Sequence, residues 1–199
     1  MIQQRIQRRG MSTGQLTLVG MLGAISAVLG FTPIGFITIG AISVTTMHIP
    51  VIIGAVLEGP MIGMMTGLLF GIISMVRAFI IPLPTSFIFW NPIVAIVPRV
   101  LLGYISYQVY YLVRTKLKKE NTAVVLAAFL ATLAHTVMVL GSAYLIYHDK
   151  LAEKLTLSVQ GVKLLFTGIA IQNGIPEAIL SVFVTVAVYK AAKKVRRVR

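Results

Sequence analysis

Cysteine is missing altogether, and only five acidic residues stand against 18 lysines and arginines in a chain of 199. The first absence excludes disulfides and thiolate metal sites. Three scattered histidines offer no ligand spacing, and no HxxxH or DxxD pattern is present. With four of the five carboxylates near span ends or in loops as well, an integral membrane enzyme acting on lipid is the least favoured reading, and no cofactor is expected. Charge of either sign is scarce, at 12% of residues, while 57% are hydrophobic and the mean hydropathy is +0.91. Those values lie beyond the range of soluble domains.

Six nearly uncharged runs, at approximately 14–32, 37–57, 61–81, 88–113, 122–147 and 163–189, are each long enough to cross a hydrocarbon core about 30 Å thick as a helix. They predict an all-α integral membrane protein, a bundle of six transmembrane helices filling residues 14–189. What remains is a basic N-terminal arm (1–13), short connections and a basic tail (190–199). There is no room for an ATP-hydrolysing domain. Arg5, Arg8 and Arg9 could pass for the basic region of a signal peptide, but the run behind them is long and lacks a small-residue cleavage site. The first span is expected to stay.

The formal charge of +13 raises the question of nucleic acid, and its placement answers it. Arg5, Arg8 and Arg9 precede the first span; Arg114, Lys116, Lys118 and Lys119 separate the fourth and fifth; Lys190, Lys193, Lys194, Arg196, Arg197 and Arg199 follow the sixth. An even number of spans puts these groups on one side, and the positive-inside rule makes that side the cytoplasm. The excess charge thus reads as orientation and attraction to anionic lipid, with no nucleic-acid partner.

Within the third span "GPMIGMMTGLLFG" repeats glycine at Gly59, Gly63, Gly67 and Gly71. A four-residue step aligns them on one face, which lets another helix approach closely. The first span repeats the device with Gly20 and Ala24, and with Gly23 and Ala27, a surface suited either to internal packing or to docking on a membrane partner.

Pro50, Pro92, Pro98 and Pro176 fall inside the predicted spans, where each removes a donor and loosens the carbonyl four residues earlier, at Thr46, Ile88, Val94 and Gln172. Polar groups gather beside the breaks: Thr45, Thr46 and His48; Trp90 and Asn91; Arg99; Gln172, Asn173 and Glu177. Broken helices with polar side chains often line substrate sites in transporters. Arg99 and Glu177, each ~15 Å from a helix end at 1.5 Å per residue, are expected to form a structural ion pair; alternatively Arg99 meets a substrate carboxylate. His48 and His135 are candidate proton-relay groups or hydrogen-bonded core residues. Trp90 suits an interfacial anchor or a stacking platform, and Tyr144 with Tyr147 a lid or aromatic belt.

The segments "VGMLGAISAVLGFTPIG", "TTMHIPVIIGAVLEGPMIGMMTGLLFG", "FWNPIVAIVPRVLLGY" and "NGIPEAILSVFVTVAVYKAAKK", in this order, resemble the substrate-binding S components of energy-coupling factor (ECF) vitamin transporters. The resemblance covers nearly the whole chain and is closest to the pantothenate branch, with pyridoxine or hydroxymethylpyrimidine carriers and cobalamin carriers next. It implies a multi-pass subunit of an ABC importer that binds a water-soluble vitamin from outside. Two ATPase subunits and a transmembrane coupling subunit would be separate partners, so the chain itself is not an enzyme. It further implies that Gly20, Gly23, Ala24 and Ala27 face the coupling subunit. His48, Trp90, Asn91, Arg99, Tyr144, Gln172 and Asn173 are the candidate vitamin-binding residues. A self-sufficient proton-coupled carrier, using Glu177 and His135, is the rival.

Overall fold

The computed structural model describes residues 11–39, 42–81 and 85–198; Arg5, Arg8, Arg9 and most of the N-terminal arm lie outside them. Helix α1 (Thr13–Phe31) opens on a reciprocal cap in which Gln15 N donates to Ser12 Oγ and Ser12 N to Gln15 Oε1. Strands β1 (Phe36–Ile39) and β2 (Ile42–Thr45) pair antiparallel with Phe36 opposite Thr45 and Ile39 opposite Ile42. Helices α2 (Ile49–Glu58), α3 (Pro60–Ile80), the one-turn α4 (Pro92–Ala95), α5 (Val97–Leu117), α6 (Glu120–Leu155) and α7 (Val159–Val198) follow. Among the described residues five helical stretches have the length and hydropathy to cross a membrane.

The predicted second span is corrected. Its first half is the β-hairpin, and α2 holds only 10 residues, about 15 Å at 1.5 Å per residue. The reason is local: Ile37, Thr38, Ile39, Ile42, Val44 and Thr45 are β-branched, which favours strand over helix, and Pro50 starts a helix far more readily than it continues one. The same correction applies to Pro92 and Pro98, which occupy the first turns of α4 and α5. Of the four interruptions expected, Pro176 alone lies inside a helix.

Gly59 leaves the expected zipper and instead joins α2 to α3 by itself, at φ +101°, a conformation open to glycine and strained for other residues. Gly63, Gly67 and Gly71 do form a close-contact face, against α5 and the residue that caps it, Ile96. A Cβ at Gly67 would collide with the backbone carbonyl of Arg99, one at Gly103 with the backbone of Gly63, and one at Gly71 would come within 2.8 Å of Ile96 Cα. The two helices run antiparallel with backbones in contact. Van der Waals packing of this kind replaces the hydrophobic drive that lipid cannot supply. A second small face, Ala123, Ala127, Ala128 and Ala131 of α6, is fully buried against the α5 and α7 side of the core with Leu102 and Val124.

Two contacts set the ends of the bundle. Arg77 Nε donates to Gly30 O at 2.8 Å, so α1 and α3 finish at one level. At the opposite end Glu120 accepts hydrogen bonds from Tyr189 and Lys193, with Arg114 Nη2 at 3.8 Å. The start of α1, the α5–α6 turn and the last turns of α7 therefore share that end, with Lys116, Lys118 and Lys119 beside them. The helix α7 continues through the expected basic tail as far as Val198.

Candidate ligand-binding cavity

A cavity of about 160 Å³ opens at the end of the bundle away from the basic cluster. Helix α3 contributes Phe70, Ser74 and Arg77, spaced by four and three residues and so on one face. The segment after α3 adds Thr85, Ser86 and Phe89; α5 adds Arg99, α6 His135, and the end of the hairpin Thr45 and Met47. Among the described residues two guanidiniums line this space and no carboxylate does.

Arg99 is 5% exposed and lies between aromatic rings, its guanidinium carbon 5.4 Å from the Phe70 centroid and 5.2 Å from that of Phe89. Its Nη1 donates to Val94 O at 2.6 Å. That carbonyl is the one Pro98 deprives of a helical partner, so the expectation of a loosened acceptor at Val94 has a specific outcome: it anchors the arginine. The remaining edge of the guanidinium begins at Nε, which is buried and has no hydrogen-bond partner among the described residues.

The expected ion pair is not formed. Glu177 accepts instead from Thr45 N at 2.8 Å and Thr45 Oγ1 at 2.9 Å, and among the described residues its carboxylate makes no ion pair with Arg99. The cause is the hairpin: once the second span begins as strands, Thr45 arrives at α7 and fills the acceptor's needs. Glu177 therefore ties the roof of the cavity to α7.

The other candidates divide. His48 is fully buried and stacks on His135, with ring centroids 6.0 Å apart; it backs the cavity without lining it. Trp90 is 49% exposed, stacked on Phe79 and donating to Ala78 O, which fits the interfacial anchor. Asn91 caps α4, its Oδ1 accepting from Ile93 N at 2.9 Å. Tyr144 borders a separate shallow groove with Lys163 and Phe166. Gln172 is exposed and Asn173 half-buried, and neither lines the cavity. On α1, Gly20 and Ala24 face outward, while Gly23 is buried against Leu69. Sequence reasoning missed Phe70, Ser74, Arg77, Thr85, Ser86 and Phe89. The Phe70, Ser74, Arg77 stripe was the available signal, a polar face on an otherwise apolar span.

Such an arrangement defines a class: a small helical membrane protein with a cationic, aromatic-walled cavity at one end of its bundle. The model of the family described as ECF transporter, substrate-specific component, matches residues 14–189, and the chain belongs to that family. A protein of Lactococcus lactis subsp. cremoris described as pantothenic acid transporter PanT is 34% identical over 166 residues, 76% of this chain and 79% of that one. The fold is similar to the solved structure of ThiT from Listeria monocytogenes, with a TM-score of 0.63 at 17% identity, covering 90% of this chain and 95% of the other. It is also similar to an S component of a bacterial ECF transporter, with a TM-score of 0.57 at 16% identity over 91% and 96% of the two chains. The protein is thus a substrate-specific transport subunit of the membrane, and not an enzyme by family.

Proposed function

We propose that the chain binds pantothenate in this cavity and hands it inward with a separate coupling subunit and ATPases. The observation that carries the proposal is the pair of arginines, Arg77 and Arg99, in a pocket whose described lining holds no carboxylate; the PanT relative points to the same ligand. A buried guanidinium is costly unless an anion or dipoles offset it. With Nη1 held by Val94 O, Arg99 presents its Nε and Nη2 edge, the geometry that takes a carboxylate through two parallel hydrogen bonds. Phe70 and Phe89 fix the plane of that fork. The gem-dimethyl group of pantothenate suits the Phe70 and Met47 wall.

Titration calorimetry on the purified chain tests this with pantothenate, pyridoxine, hydroxymethylpyrimidine and cobalamin. Pantothenate is expected to bind tightly without ATP, and R99Q to weaken it by about 100-fold, as expected for truncating one side of a buried, hydrogen-bonded charge pair. Unchanged affinity in R99Q would end the carboxylate assignment. Proton-driven uptake by the chain alone in liposomes would favour the proton-coupled carrier instead.

A further inference from the structure

The inner wall of the cavity carries a group that the carboxylate site does not use. His135 is 8% exposed, lines the cavity from α6, and its Nε2 is buried without a hydrogen-bond partner among the described residues. Behind it His48, 1% exposed, also has both ring nitrogens unpartnered and lies parallel within 20°. Phe70 packs on the His135 ring at 6.1 Å between centroids, tilted by 45°. Buried polar atoms are almost always hydrogen-bonded, so several together beside a binding cavity call for an explanation. Imidazole nitrogen can donate or accept, which matches a hydroxyl and, unlike a guanidinium, does not demand an anion.

We infer that His135 is a specificity-determining residue that hydrogen-bonds a hydroxyl of the ligand, while Arg99, which packs on the same Phe70 ring, holds its carboxylate. This rests on the pantothenate reading of the cavity. His48 is a positioning residue: its ring fixes the plane of His135 by stacking. A polar site that expects a hydroxyl discriminates strongly against an analogue lacking it, because the site's own buried group is then left unpaired.

The test compares pantothenate with N-(3,3-dimethylbutanoyl)-β-alanine, which keeps the amide and carboxylate and lacks both hydroxyls. Both are titrated calorimetrically into the full chain in nanodiscs. The unaltered protein is expected to prefer pantothenate by about 30-fold, the order set by one buried group left unpaired. In H135F or, should that fold poorly, H135L, the preference falls below about threefold, chiefly because pantothenate weakens. H135Q, which keeps a donor and an acceptor, restores much of it. H48F, retaining the stacked ring, keeps the preference, and H48A reduces it. Equal weakening of both ligands by the His135 variants, or no effect on either, would overturn the inference. Loss of the pantothenate reading itself shows separately, as an R99Q variant that binds both ligands as tightly as the parent chain.

Discussion

Thr45 and Glu177 are 132 positions apart and meet through two hydrogen bonds that fasten the hairpin to α7. Removing the hydroxyl in T45V leaves the backbone bond, whereas E177A removes both and strands a buried amide. Each bond to an ionised acceptor contributes about 1.5–3 kcal/mol. E177A is therefore expected to lower the unfolding midpoint in detergent clearly more than T45V, as followed by tryptophan fluorescence of Trp90 or by circular dichroism. Equal midpoints would show that the tether carries no weight. At this scale the sequence marked which residues were too costly to be idle, Arg99, Glu177 and His48 among them, because a polar group at membrane depth needs a partner whatever the fold. It could not say which partner. Pairing Arg99 with Glu177 was the simplest electrostatic solution, and backbone groups from Val94 and Thr45 displaced it. Trp90 was legible as an interfacial anchor from its place at the end of a span, whereas Asn91 was legible only as a polar residue and not as a cap, since that depends on where α4 begins.

Among the elements, the long helices were visible because a 30 Å apolar run has few other uses. The hairpin was not, because hydropathy does not distinguish an apolar strand pair from the outer half of a span. Its β-branched composition and Pro50 were the discriminating signs. The glycines separate into two kinds that substitution distinguishes. G67A and G103A place a methyl group against backbone of the facing helix and should each cost about 1–3 kcal/mol or more by overpacking, seen as lost monodisperse protein on size-exclusion chromatography. G20A meets nothing within 4 Å. G20L is expected to fold and bind vitamin like the parent in isolation, yet to fail in cellular uptake if α1 is the face that meets the coupling subunit. Normal uptake by G20L would move that interface elsewhere.

For the molecule as a whole, the contacts at Gly30 and Glu120 place the start of α1 and the end of α7 at the same end of the bundle. From the positive-inside rule we propose that this end faces the cytoplasm. Lacking cysteine, the chain is its own background for labelling: K150C is expected to react with a membrane-impermeant maleimide on intact cells, and K118C only after lysis. The reverse pattern would invert the topology. The cavity itself has an uneven construction with a kinetic consequence. Phe70 and Arg99 are set by the backbone contact of α3 with α5, while the roof over them hangs on hydrogen bonds, from Thr45 to Glu177 and from Thr46 to Gly35 and Ile34. Arrival of a ligand then meets a wall that needs no rearrangement, and residence time rests on the roof. Roof variants should differ in how fast pantothenate leaves and hardly at all in how fast it enters.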